Sequence, residues 1–198
     1  MIKTAIFDLG DVFVNVETGR PVERLRERFP GISEEKIRES AYRSGMTRRF
    51  ELGEVDSRTF YHYFRKALGE DFSYDFFEKT WQEMFTPIQP MIDLLPELKK
   101  KYRLTALSNT DALHIEYIDR TYGFLHHFDS HVYSYEEGLL KPDPAIYRIA
   151  LERSDTAPHE AVYIDDKPEN VQAAIALGME GIQYTGFDRF IEEWRKVS

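Results

Sequence analysis

Four groups of chemically capable residues stand just after short apolar runs in this chain of 198 residues. Asp8 follows the run at residues 3–7 (KTAIF). Ser108, Asn109 and Thr110 follow 103–107 (RLTAL), and Asp165 and Asp166 follow 161–164 (AVYI). Lys141, with Pro142-Asp143-Pro144 behind it, lies several residues past 131–133 (HVY). Carboxylates from two separate segments can hold Mg²⁺, which prefers hard oxygen ligands and keeps waters and a phosphate oxygen in its shell. Such a cation keeps a neighbouring carboxylate ionised. An ionised aspartate can then attack phosphorus and carry the phosphoryl group covalently. The Ser108 hydroxyl and the backbone N–H beside it can donate to phosphoryl oxygens, and Lys141 supplies a point charge as the transition state forms. The set suits phosphoryl transfer, with Mg²⁺ as the expected cofactor.

Each group alone has an ordinary role. Asp8 could be a solvated strand-end residue, and Ser108 to Asp111 a turn and helix cap. Lys141 could be a surface lysine, and Asp165-Asp166 could compensate the dipole of a helix begun by Pro168. Their joint occurrence at strand ends is what points to a site, because ligands of open parallel sheets bind at the carboxyl edge of the strands.

The elements that must position these groups follow from periodicity. A fifth strand is expected at 182–184. Helices are expected from Pro90 to Lys101, from Pro144 to Leu151, and from Pro168 to a stop at Gly178, with apolar residues at helical spacing. Strand–helix alternation with short connections predicts an α/β fold, a Rossmann-like parallel sheet flanked by helices. Residues 16–87 read differently. They are rich in Arg, Glu and aromatics and hold no convincing strand; Ser33 and Ser57 look like helix starts. The expected organisation is a core of residues 1–15 and 88–198 with a helical cap, 16–87, inserted between. The cap's dense aromatics are expected mainly in its own core and at its interface with the sheet, with one or two lining the pocket.

Composition narrows the function. The formal charge is -9, from 26 Lys and Arg against 35 Asp and Glu, which argues against non-specific binding to nucleic acid or to an anionic membrane. The absence of cysteine excludes disulfides, thiolate zinc sites and thiol nucleophiles. No run approaches the ~20 apolar residues of a membrane span, and the start of the chain lacks signal-peptide anatomy. A cytoplasmic protein acting on a small phosphorylated metabolite is expected, and no protein partner is implied.

The motifs FDLGDV (7–12), LSNTD (107–111), GLLKPDPAIY (138–147) and VYIDDKPENV (162–171) resemble those of the haloacid dehalogenase superfamily, in the phosphatase subfamily with a helical cap after the first strand. The resemblance implies that Asp8 is nucleophile and metal ligand, with the Gly10 carbonyl, Asp165 and Asp166 as further ligands. It implies that Ser108, Asn109 and Lys141 hold the phosphate and that Asn170 orders the metal-site loop. In most phosphatases of that superfamily an aspartate two residues after the nucleophile serves as general acid and base. Here Gly10 stands there, which is similar to the branch of α-D-glucose-1-phosphate phosphatase-like proteins, as is the stretch FELGEVDSRTF (50–60). A sugar phosphate is the expected substrate. Asp11 is the candidate for the missing role, and Arg48 and Arg49 are candidates to meet the ligand from the cap. Two other readings stay open: a phospholigand-binding protein without turnover, and a metal-independent 2-haloacid dehalogenase, whose leaving halide needs no proton.

Overall fold

The short apolar runs become strands because helices bury them from both sides. In the computed structural model, which describes residues 1–197, β1 (Thr4–Phe7) leads through a tight turn into the short strand β2 (Val14–Val16). Five α-helices follow: α1 (Gly19–Arg28), α2 (Glu34–Arg38), α3 (Met46–Glu51), α4 (Ser57–Leu68) and α5 (Tyr74–Gln82). β3 (Phe85–Pro87) then returns antiparallel to β2. The rest alternates: α6 (Gln89–Lys99), β4 (Arg103–Ser108), α7 (Ala112–Tyr122), β5 (Ser130–Tyr133), α8 (Ser134–Glu137), α9 (Pro144–Arg153), β6 (Ala161–Asp165), α10 (Pro168–Ala176), β7 (Glu180–Gln183) and α11 (Phe187–Val197).

The five long-range strands form one parallel sheet in the order β5-β4-β1-β6-β7. The chain adds β4 and β5 on one side of β1, then crosses over to add β6 and β7 on the other. The order therefore reverses between β1 and β6, which opens a crevice at their carboxyl ends. Strand alternation divides the core. Ile6, Leu107 and Tyr163 pack with Ile146 and Tyr147 of α9, while Ala5, Phe7 and Ile164 pack with Met91 and Leu95 of α6. The second cluster continues without a break into the inserted helices, where Phe60 stacks on Phe50 at 4.9 Å and meets Trp81 edge-on at 4.9 Å.

The sequence reading needs three corrections here. The seams of the insertion are not bare connections: β2 and β3 form a two-stranded ribbon at the stalk, although no strand was expected in 16–87. Three residues on each side are too few for period-two alternation to register. The start of α4 is capped by Asp56, whose carboxylate accepts from the Thr59 N–H at 2.7 Å, so Ser57 is already helical. The fifth strand begins two residues before its expected start, at Glu180. Ser33 caps α2 as expected, accepting from the Lys36 N–H at 3.2 Å.

Candidate active site

At the carboxyl end of β1, Asp8 is buried, and its backbone N–H still bonds the Ile164 carbonyl of β6 at 2.8 Å. The sheet therefore fixes Asp8 beside the end of β6, where Asp165 is fully buried. Lys141 reaches between the two. Its Nζ lies 2.9 Å from Asp8 Oδ2 and 2.8 Å from Asp165 Oδ2. The lysine is positioned by Asn109, which donates to the Lys141 carbonyl at 3.1 Å and accepts from the Lys141 N–H at 2.8 Å. That reciprocal pair ties the loop after β4 to the loop before α9.

Asp165 is heavily bonded. Oδ1 accepts from the Lys167 N–H at 2.8 Å, and Asn170 Nδ2 lies 3.0 Å from both carboxylate oxygens. The Tyr163 hydroxyl donates to Oδ2 as well. Asn170 is held in turn, its carbonyl accepting from the Tyr147 hydroxyl at 3.1 Å. Asp166 is the opposite case: its Oδ1 is buried and accepts no hydrogen bond from the described residues. A buried, unpaired carboxylate oxygen is costly. One oxygen each from Asp8, Asp165 and Asp166 lie within 4.8 Å of one another. Buried hard oxygens converging with an orphaned lone pair fit a divalent cation.

Burial and the neighbouring charges set the proton affinities of these groups. Burial pushes Asp8 up to about 6, a rise that Lys141 opposes and Asp165 reinforces. Burial and then the neighbouring Asp165 also raise Asp166. Asp165 goes the other way, because Lys141, Tyr163 and the Lys167 N–H outweigh its burial. Burial would lower Lys141, but Asp8 and Asp165 hold it above the ordinary lysine range.

These groups open onto a cavity of about 230 Å³ between the sheet edge and the inserted helices. Asp8, Gly10, Ser108, Asn109, Lys141 and Asp166 all line it. Asp11 lines it too, but it is an exposed turn residue at φ 53°, and its Oδ1 accepts from the Val16 N–H at 3.0 Å to start the ribbon. Arg48 and Arg49 are not among the lining residues. Both are exposed, and Arg49 pairs with Glu54 at 3.0 Å. Thr47 and Glu51, one turn apart on α3, are the residues that this helix contributes to the cavity. Spacing of i and i+4 put them on one face, but the sequence could not say which face of α3 meets the sheet. Tyr42, Trp81 and Phe85 are the phenyl- and indole-bearing aromatics that line the wall.

The inserted helices are seated on the sheet by specific contacts. Trp81 Nε1 donates to Asp111 Oδ2 at 2.9 Å, and the Trp81 ring stacks on His114 at 5.3 Å. Gly53, just past α3, is at φ +69°, and a Cβ there would sit 2.1 Å from the Tyr135 carbonyl oxygen of α8. Only glycine allows that approach.

Comparison with known proteins agrees with this geometry. The family model described as hydrolase, haloacid dehalogenase-like hydrolase, matches residues 2–178. The chain is 25% identical to a D-ribitol-5-phosphate phosphatase of Bacteroides thetaiotaomicron over 92% of each chain. It is 28% identical to a sesquiterpene phosphatase of Aspergillus oryzae over 92% of this chain and 90% of the relative. A solved structure of a haloacid dehalogenase family enzyme from Bacteroides thetaiotaomicron, in complex with magnesium and inorganic phosphate, superposes with a TM-score of 0.83 at 27% identity, covering 95% of this chain and 97% of that one.

Proposed function

The chain belongs to the haloacid dehalogenase-like hydrolase family, and from that premise we propose that it is a Mg²⁺-dependent phosphatase of a small phosphorylated metabolite, with a sugar or polyol phosphate as the substrate class. The observation that carries this reading is the set of buried Asp8, Lys141 and Asp165 with half-buried Asp166, whose buried Oδ1 is left unpaired among the described residues. It is supported by relatives named as phosphatases and by a similar enzyme solved with magnesium and phosphate. Residues 1–15 and 88–198 serve as the core, and 16–87 as the cap that covers the site and chooses the substrate.

In this reading Asp8, Asp166 and the Gly10 carbonyl hold Mg²⁺, with Asp165 as a further, more heavily bonded carboxylate. The ion supplies charge to offset the phosphoryl oxygens and keeps Asp8 ionised. Ser108 and Asn109 at the end of β4 orient the phosphate. An Asp8 oxygen attacks phosphorus, the bond to the leaving oxygen breaks, and Lys141 stabilises the charge that builds on the equatorial oxygens. Water then attacks phosphorus of the aspartyl-phosphate, and the electron pair of the broken bond returns to Asp8. The cavity of about 230 Å³ favours a small ligand.

The test is a panel of sugar, polyol and alkyl phosphates assayed for phosphate release with Mg²⁺ and with a chelator. Release that needs Mg²⁺ is expected. No release from any member at high enzyme would favour a binding protein instead, and halide release from 2-haloacids with the chelator present would favour a dehalogenase.

A further inference from the structure

Gly10 has no side chain, so the departing oxygen must find its proton elsewhere in the cavity. The candidates are few. Asp11 is exposed and its carboxylate is spent on the Val16 N–H at 3.0 Å. His114 is buried, with Nε2 3.1 Å from the Trp81 carbonyl and Nδ1 3.0 Å from Asp111 Oδ2, so both ring nitrogens are engaged. Tyr42 points its hydroxyl at the Thr18 carbonyl, and burial pushes it up to about 12. Lys141 is held between Asp8 and Asp165, a lysine ammonium such as that of Lys167 has no lone pair to take the proton from water in the second step, and in the reading above Asp8 and Asp166 serve the phosphoryl group and the metal. One lining group is left. Glu51 ends α3, lines the cavity, and makes no hydrogen bond or ion pair with any described residue.

We propose that the Glu51 carboxyl is the general acid and base of the reaction, carried to the site by the inserted helices in place of the side chain that Gly10 lacks. The inference rests on the phosphatase reading above. In the first step the Asp8 oxygen bonds phosphorus, the phosphorus–oxygen bond to the leaving group breaks, and that oxygen takes the Glu51 proton to depart as an alcohol. In the second step ionised Glu51 takes a proton from water as the water oxygen bonds phosphorus. Asp8 recovers its electron pair, inorganic phosphate leaves, and Glu51 is again protonated.

The surroundings suit both halves. Burial and then Asp111 at the start of α7 push Glu51 up to about 7, while Lys167 ahead of α10 and Arg48 on its own helix oppose the rise. A group poised there is protonated for the first step and a competent base for the second. Delivery is also controlled. The close packing of Gly53 on the Tyr135 carbonyl fixes the end of α3 two residues from Glu51.

The test compares Glu51→Gln with wild type in Mg²⁺, on p-nitrophenyl phosphate and on the best alkyl phosphate of the panel. Nitrophenolate leaves without a proton, whereas an alkoxide does not. With Glu51→Gln, p-nitrophenyl phosphate should give a burst of one nitrophenolate per enzyme and then turnover slowed by about 10²–10⁴-fold, and the alkyl phosphate should give no burst. In the wild type, kcat/KM for the alkyl phosphate should fall as pH rises through about 7, and that limb should be absent for the aryl ester. Wild-type turnover of the alkyl phosphate by Glu51→Gln would overturn the assignment. So would loss of the burst together with turnover, which marks a structural role. If wild type itself released phosphate from no ester, the phosphatase reading would fall and this inference with it.

Discussion

Lys141 separates two buried carboxylates that could not otherwise share the end of the sheet, and its removal should therefore be felt twice. Taking one member from a buried ion pair costs about 3–5 kcal/mol. Lys141→Met should destabilise the metal-free protein by roughly that amount at pH 8. The loss should shrink toward pH 5, because Asp8, already pushed up to about 6 with the lysine present, takes a proton instead. Turnover in Mg²⁺ should fall by about 10²–10³-fold, the usual cost of one lost charge donor in the transition state. Chemical denaturation at the two pH values and a rate assay check both statements. Glu51 carries a separate prediction that needs no turnover. Its folded-state pKa is raised from 4.5 to about 7, so the stability associated with its proton is fully present below about pH 4.5 and is lost as pH rises through about 7. Glu51→Gln should match the metal-free wild type near pH 4.5 and exceed it at pH 8. Equal stability at pH 8 would mean that Glu51 is not buried as an acid.

At the scale of elements, chemistry depends on how α3 is held against α8. Gly45 and Gly53 both adopt positive φ, +76° and +69°, but a Cβ on Gly45 meets nothing within 4 Å. Gly45→Ala should therefore lose only the backbone cost of about 1–2 kcal/mol and keep its activity. Gly53→Ala adds a collision with the Tyr135 carbonyl oxygen. It should lose more stability and at least tenfold in kcat/KM, since small misplacements of a catalytic group are expensive. Thermal melts and rate assays on the pair decide it. This contact also marks a limit of the sequence. Asp8, Ser108 and Asp165 were legible because each ends or follows an apolar run whose parallel pairing brings its end to one edge, and Lys141 because it lies several residues past such a run with Pro142-Asp143-Pro144 behind it. Glu51 was not, because nothing local in FELGEVD says which face of the helix turns inward. Arg48 and Arg49 drew notice by charge, yet they lie on the solvent side. The ribbon of β2 and β3 escaped for want of length, and its seams at Asn15 and Pro87 were visible only as a change of composition.

For the molecule as a whole, the converging carboxylates of Asp8, Asp165 and Asp166 mean that metal binding and fold stability should be coupled. A ligand at about 100 times its dissociation constant stabilises by about 2.7 kcal/mol, which for a chain of this size is a rise of about 5–10 °C in Tm. Mg²⁺ should produce a rise of that order. Asp166→Asn should remove most of it, because Asp166 Oδ1 is the buried side-chain oxygen with no partner among the described residues. A calorimetric titration with Mg²⁺ alone checks this without substrate. No helix among the described residues is long and apolar enough to cross a membrane. The central claim is covalent transfer to Asp8. Its most direct measurement is peptide mapping by mass spectrometry after p-nitrophenyl phosphate and Mg²⁺ are mixed with the protein and quenched in acid. A phosphoryl group on the peptide containing Asp8, absent without Mg²⁺ and absent in Asp8→Asn, is the predicted result. Phosphate release by Asp8→Asn at the wild-type rate, or a phosphoryl group found on Ser108 or His114 instead, would contradict the account.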